Sequence, residues 1–367
     1  MQETSEKIKN QIINTAIPDG FKAFHNFNDE ILSNNWKKLY NKGANYNLSY
    51  EWCSIWFKHF GKKQKLYIIT LWKSNELALL APFYIRGGRL TLIGTKPDLY
   101  DEFNILYNKT DNIDELIGYL QHNKLEINFR YVNCESEFGK TIVKRFSQRG
   151  IRQVSHVLET KPVILKDKFG FKRKQKDDNT RCKNNAVKLF GEALKFEFQA
   201  ERKKEYVEEF IEFHKARWGG GLFSKKPKIA DFLQDLVINT DFSILSRLSL
   251  EKSNKTVAYH FGFMDSAKKF WSSMPTYDIN YKQISPGKVL LYDLISEIFS
   301  LEAKEDAENG KARSLSPNNT EKFDFGRGSE PYKNWFSNYE EILFNITTFQ
   351  TKKNIMKIRN FINKILR

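Results

Sequence analysis

Long apolar runs are missing from this 367-residue chain. The longest, Leu77–Ile85, is interrupted by Pro82. It falls far short of the roughly 20 residues a membrane-crossing helix needs. The N-terminal Met1-Gln-Glu-Thr-Ser-Glu-Lys7 has no apolar signal core. Cysteine is scarce, and Cys53, Cys134 and Cys182 have no paired spacing. They read as reduced structural thiols in a cytoplasmic protein. No His/Cys cluster has metal-ligand spacing, so no metal is expected. No Ser-His-Asp spacing is evident either.

Positive charge is plentiful, with a formal net charge of +16. That suits nucleic acid, a membrane surface or anionic small molecules, without choosing among them. Much of the excess is local. Residues 161–188 hold ten Lys/Arg against three acids, and residues 351–367 hold six and no acid. At 40% apolar and 14% aromatic, the composition is that of a globular protein large enough for two domains.

The order of elements repeats. Leu66–Trp72 and Leu77–Ile85 read as a hairpin around Lys73-Ser74-Asn75. Ser243–Leu250 and Thr256–Phe263 do the same, with Lys252-Ser253-Asn254 in their connector. Each hairpin follows an aromatic-rich helix, Ser49–Gly61 in one case and Tyr206–Trp218 in the other. A strand, a helix and a strand come after each. This order predicts an internal duplication in a mixed α/β (α+β) fold. Further strands are expected at Arg89–Gly94, Phe103–Tyr107, Glu126–Val132, Pro162–Leu165, Leu194–Gln199, Lys322–Phe325 and Glu341–Phe344. Helices are expected at Ile113–Gln121, Gly139–Arg149, Lys228–Ile238 and Val289–Phe299. Glu302–Thr320 reads as a polar, mobile loop.

Strand 268–275, the loop Gln283–Lys288 and the following helix form the segment richest in chemistry. Ser285, Pro286 and Gly287 stand at the helix mouth. Unpaired N–H groups and the positive dipole end make such a mouth a phosphate site. Pro suits the first turn, and Gly lets a ligand approach the backbone.

Several motifs then fall in a familiar order. They are Trp52-x3-Trp56-x3-Phe60-Gly61, Leu80-Ala-Pro-Phe-Tyr84, Leu92-Ile-Gly-Thr95 and Asp98–Phe103 in the first half. In the second half they are Phe213-His-Lys-Ala-Arg-Trp218, Tyr259-His-Phe-Gly-Phe263, Tyr277-Asp278, Ser285-Pro-Gly287 and Phe323–Trp335. Across residues 30–345 the chain resembles the tandem GNAT-like acyltransferases called CelD-like or BioF2-like, which are similar in architecture to the FemAB peptidyltransferases. The resemblance implies two GNAT-like domains, each a mixed, mostly antiparallel sheet flanked by helices. The expected division is 1–165, a basic linker or helix 166–193, a domain 194–350 with the acyl-CoA site, and a basic amphipathic helix 351–367.

The resemblance also implies transfer of an acyl group from acetyl-CoA, as co-substrate, to an amine. The amine would be an amino sugar or nucleotide-linked amino sugar of surface polysaccharide. Gln283, Ser285, Pro286, Gly287 and Lys288 would cradle the carrier, although Pro286 and Lys288 replace the small residues of the GNAT pattern. Backbone N–H groups near Ser273 and Met274 would hold the oxyanion. His260, Asp324 and Glu330 are the candidate bases, and none is singled out. Asp98, Tyr100, Asp101, Asp278, Arg327, Tyr332, Lys333 and Trp335 are candidates for binding the acceptor.

Two rival expectations stand beside this one. A FemAB-like transferase would take its group from aminoacyl-tRNA, the one nucleic acid expected as a partner. A non-catalytic scaffold would bind a nucleotide-sugar, glycan or protein. The 351–367 helix is expected either to dock on the second domain or a partner helix, or to lie peripherally on the inner face of an anionic membrane.

Overall fold

The structure is a computed structural model, and it describes residues 19–95, 97, 99, 101–219, 221–299 and 320–349. The basic helix expected at 351–367 lies outside the described residues, as does nearly all of the loop expected at Glu302–Thr320. No helix among the described residues is long and apolar enough to cross a membrane.

The first half opens with β1 (Gly20–Phe24), α1 (Glu30–Tyr40) and α2 (Tyr50–Phe60). Asp29 and Ser49 cap the two helices by accepting hydrogen bonds from Leu32 N and Trp52 N. The hairpin β2 (Lys65–Lys73) and β3 (Glu76–Arg86) follows, then β4 (Arg89–Leu92) and the two-residue β5 (Leu106–Tyr107). Ser74 and Asn75 take the left-handed backbone that the tight hairpin turn requires. Next come α3 (Asp111–His122), β6 (Asn128–Asn133), α4 (Glu137–Gln148) and β7 (Arg152–Leu165).

The second half contains α5 (Arg173–Phe190), β8 (Leu194–Glu197), α6 (Lys204–Arg217), α7 (Gly221–Lys225) and α8 (Lys228–Asn239). The antiparallel strands β9 (Ser243–Leu250), β10 (Thr256–Met264) and β11 (Lys269–Tyr277) follow. The half ends with α9 (Pro286–Phe299), β12 (Lys322–Asp324), α10 (Pro331–Phe336) and β13 (Tyr339–Phe349).

Two sheets result. One runs β1-β2-β3-β4, with β5 on β3. The other is eight-stranded, in the order β6-β13-β7-β12-β11-β10-β9-β8. The expected mixed α/β class, with antiparallel-rich sheets flanked by helices, is what the chain adopts. Both halves repeat helix, hairpin and third strand. The later strands interleave: β13 of the second half lies between β6 and β7 of the first.

Two local expectations change. The strand expected at Pro162–Leu165 begins ten residues earlier, at Arg152. The strand expected at Phe103–Tyr107 shrinks to Leu106–Tyr107. Much of the basic 166–190 stretch is the helix α5, which buries Gln175, Asn179, Cys182 and Ala186. Those positions recur at helical spacing, but half of them are polar, so apolar periodicity does not reveal the stripe.

One core spans both halves. Trp52 of α2 meets Phe232 of α8 edge-on at 5.9 Å, and Tyr46 stacks on Phe263 of β10 at 3.9 Å. Gly262 on the other face of β10 has no room for a side chain. A Cβ there would lie 2.6 Å from the Trp271 carbonyl and 2.7 Å from the Phe270 ring. Gly262→Ala is therefore expected to lower stability by about 1–3 kcal/mol, as overpacking does. Urea unfolding would read the change; an unchanged midpoint would contradict this packing.

Candidate active site between the two halves

Strand β11 makes the site by leaving its neighbours. It pairs in parallel with β12 only over Lys269–Trp271. Its pairing with β10 slips at the same place: Phe261 faces Met274, but Gly262 faces Ser272. Ser273 is thus the extra residue of a β-bulge, and it is exposed. Bulges disturb the ladder and re-aim side chains, and they gather near active sites. Here the bulge coincides with the point where β11 and β12 part.

A cavity of about 180 Å³ begins at Ser273 and Met274. Its walls come from both halves: Tyr46, Trp52, Leu99 and Asp101 from the first, α8, β10 and Arg327 from the second. Arg327 Nε donates to Asp101 Oδ1 at 3.0 Å, and Arg327 Nη1 reaches Glu159 Oε2 at 3.3 Å. The guanidinium also covers the Tyr131 ring at 3.9 Å. Gly326, with φ of +69°, turns the chain so that Arg327 faces Asp101. Asp324 Oδ1 fixes that turn by accepting from Gly326 N at 2.9 Å. Lys333 Nζ caps the Arg327 carbonyl.

On the other face of the sheet, α9 begins beside the open end of β11. Ser285 adopts a left-handed conformation, with φ of 49°. A Cβ on Gly287 would lie 3.3 Å from the Tyr277 ring, so the helix mouth sits against that strand end. Arg217 closes the last turn of α6. Its guanidinium covers Tyr277 at 4.5 Å and donates to the Pro275 carbonyl at 3.1 Å. Lys288 pairs with Asp178 of α5 at 3.1 Å and stands 5.8 Å from the centre of the Trp335 ring. Arg173, Lys174 and Arg181 line an open groove on α5 beside it, together with Asp177 and Asp178.

Beneath the cavity lies a buried charge cluster that sequence reasoning missed. Lys161 of β7 has no exposed side-chain surface. Its Nζ lies 2.7 Å from Glu102, 2.7 Å from Asp324 and 3.1 Å from Glu341. Lys269 adds contacts of 3.6 Å to Glu102 and 3.9 Å to Asp324, and Lys322 pairs with Glu341. Three lysines thus face three carboxylates. Burial alone would discharge Lys161, but Asp324, Glu102 and Glu341 outweigh it and raise its pKa well above the usual lysine value. Burial likewise pushes Glu102 up, and the lysines overcome this and hold it well below the usual carboxylate range. Glu102, Asp324 and Glu341 lie close enough together to ligate a cation. The Lys161 ammonium already fills that role.

The candidate residues separate into groups. Asp101, Ser273, Met274 and Arg327 meet at the cavity. Ser285, Pro286, Gly287 and Lys288 meet at the α9 mouth, with Trp335 near Lys288. Gln283 is exposed in the turn before it. Asp278 caps that turn through Asn280 N at 2.9 Å and does not line the cavity. Tyr332 is half-buried, and burial raises its pKa. Asp98 and Tyr100 lie outside the described residues.

The three expected bases fare poorly on geometry. His260 is 0% exposed and meets the Ser272 hydroxyl at 2.8 Å. Burial pushes its pKa down to about 3, so it is a neutral core histidine, closed to substrate. Asp324 is fully buried and bound to Lys161. Glu330 is 53% exposed at the start of α10, paired with Lys333 at 2.9 Å.

Residues 177–305 match the acetyltransferase (GNAT) domain family. No curated protein matches the chain. Among solved structures, FemX aligns with a TM-score of 0.61 at 10% identity, over 92% of this chain and 99% of that one. The C-terminal domain of a protein described as a lysylphosphatidylglycerol synthetase from Agrobacterium fabrum aligns with a TM-score of 0.54 at 9% identity, covering 88% and 92%. L-PGS from Bacillus licheniformis aligns with a TM-score of 0.50 at 13% identity, covering 83% and 94%. Residues 177–305 thus carry the GNAT-domain match, and the chain as a whole shares its mixed α/β fold with these structures.

Two outcomes check the site's electrostatics. Lys161→Met leaves three buried carboxylates without their central cation, so stability is expected to fall by about 3–5 kcal/mol. Denaturant titration measures it, and a loss under 1 kcal/mol, roughly the worth of a surface pair, would contradict the cluster. His260 binds its proton only near pH 3 when folded, but near its ordinary value when unfolded. The unfolded state therefore takes up the extra proton as pH falls from about 6.5 towards 3, and stability drops by up to about 1.4 kcal/mol per pH unit. His260→Gln is expected to lose that part of the acid slope in pH-dependent unfolding.

Proposed function

We infer that the protein transfers an acyl group from an activated carrier to an amine. The observation that carries this reading is the bulge at Ser273, where β11 parts from β12 and the gap opens onto a cavity containing Asp101 and Arg327. A carbonyl lying along the gap would meet the unpaired backbone at the bulge, where an N–H near Ser273 or Met274 stabilises the developing oxyanion. The free amine enters from the cavity side. Its nitrogen bonds to the carbonyl carbon, and the bond from carbon to the carrier sulfur breaks. The proton shed by nitrogen ends on the departing thiol. Asp101 is the acid placed to orient the amine.

Acetyl-CoA is the proposed carrier, its pyrophosphate at the mouth of α9. The first turn there offers the positive dipole end and the Gly287 N–H, since Lys288 N and Val289 N already donate to the Ser285 carbonyl. Pro286 removes one donor. In this reading 194–350 holds the carrier, 1–165 contributes the Asp101 wall, and 166–193 supplies the basic flank. The narrower likeness to CelD-like or BioF2-like proteins implies an amino sugar, free or nucleotide-linked, as the first acceptor class to screen. Contact of 351–367 with a membrane rests on its basic amphipathic sequence alone.

A second reading draws on the similarity of nearly the whole chain to FemX, together with the groove on α5 beside the α9 mouth, where three cations stand against two aspartates. In it the acyl group arrives as an aminoacyl ester on tRNA, and the same gap receives it.

Calorimetric titration with acetyl-CoA tests the first reading. Micromolar binding is expected. Gly287→Glu, which sets a carboxylate at the helix mouth, should weaken it roughly tenfold or more. Refusal of acyl-CoA by the native protein, with salt-sensitive binding of charged tRNA, would favour the second reading.

A further inference from the structure

We propose that the acceptor is a primary amine carried on an apolar body of about six to seven non-hydrogen atoms, close in size to the benzene that an engineered cavity of ~150 Å³ binds. The inference rests on the acyl-transfer reading of the Ser273 bulge and deepens it, setting an apolar amine in place of the amino sugar as the acceptor.

The cavity lining is of two unlike kinds. Much of it is apolar, from Leu222, Ile229, Phe232, Leu233, Leu236 and Phe263. Its volume of about 180 Å³ fits a short alkyl chain or one aromatic ring. The polar groups come from Ser273, Asp101 and Arg327. Asp101 and Glu159 together bring two carboxylates to the single Arg327 guanidinium. Asp101 lines the cavity, and its carboxylate can accept a hydrogen bond from an ammonium before that group loses its proton. An amine seated with its nitrogen at Asp101 has its reacting atom beside the bulge and its apolar body against α8. A hexosamine fits poorly, because its hydroxyls would face Leu and Phe side chains without partners. An acyl chain from the donor would bury its methylenes equally well. It would leave Asp101 unused.

Direct binding to the full chain separates these occupants. n-Hexylamine, phenethylamine, glucosamine, acetyl-CoA and hexanoyl-CoA are titrated by calorimetry. The native protein is compared with Leu233→Trp, which fills the cavity, with the milder Leu236→Phe, and with Asp101→Asn. Circular dichroism verifies that each variant is folded. The expected result is that n-hexylamine or phenethylamine binds at least tenfold tighter than glucosamine. Leu233→Trp and Leu236→Phe should erase that margin, and Asp101→Asn should lower amine affinity several-fold.

Amine binding that is absent, or indifferent to filling the cavity, overturns the proposal. So does a hexanoyl-over-acetyl preference of tenfold or more that disappears in Leu233→Trp, since the acyl chain is then the occupant. If the amines behave as expected while no acyl-CoA binds, the acetyl-CoA reading of the carrier fails and the acceptor assignment stands.

Discussion

A single ammonium group ties the two halves of this protein together beneath the cavity. Lys161 projects from β7 and reaches carboxylates on three other segments: Glu102 beside Asp101, Asp324 at the end of β12, and Glu341 on β13. None of these charges can move to water, because the cluster is buried. The attraction offsets desolvation only while every partner is present. The cluster is therefore a poor source of net stability and a strict source of geometry. Asp101 precedes Glu102 directly, and Asp324 fixes the turn that presents Arg327. The ion pair at the cavity mouth is the visible end of the buried one.

That geometry matters because the reacting region uses backbone more than side chains. The bulge at Ser273 is formed by strand register, and the gap beyond Trp271 by β12 ending at Asp324. Lys161 and Lys269 hold Asp324 and the start of β11 in place, and both ammonium groups lie over the Trp271 ring, at 4.8 Å and 3.8 Å. A shift of the cluster would move the point where the two strands part. The helix mouth of α9 and the cavity of α8 lie on opposite faces of this sheet, and the gap is where the two faces meet.

Much of the fold was legible in the sequence, because hairpins and amphipathic helices announce themselves by period. The repeated hairpins, the aromatic helix α2 and the α9 mouth stand where pattern reading puts them. What stayed hidden is long-range. Lys161 follows Glu159-Thr160 in a strand whose length was underestimated, and its partners come from positions 102, 324 and 341. The available clue was a lysine entering the apolar run Pro162-Val-Ile-Leu165 at a place destined for the sheet interior. His260 shows the opposite failure. Its residue type suggested a base, while the alternation of β10 turns it toward the core with Gly262 and away from the cavity faced by Phe261 and Phe263.

Pro286 removes an N–H from the helix mouth. Lys288, instead of pointing freely at a phosphate, pairs with Asp178 and lies near Trp335. Other cations stand nearby: Arg217 of α6, held against Tyr277 of β11, and on α5 Lys174 with Arg173 and Arg181, the last two paired with Asp177 and Asp178. In the proposed reaction the carrier's handle would be met by side chains more than the GNAT pattern implies, and side chains adapt to different handles more easily than a backbone loop does. The bulge, the gap and the Asp101–Arg327 pair do not depend on which handle arrives. Both carriers considered for this protein, a thioester of CoA and an ester of tRNA, would present the same carbonyl to the same strand. The carrier is accordingly a question about α5 and the mouth of α9, whereas the acceptor is a question about α8.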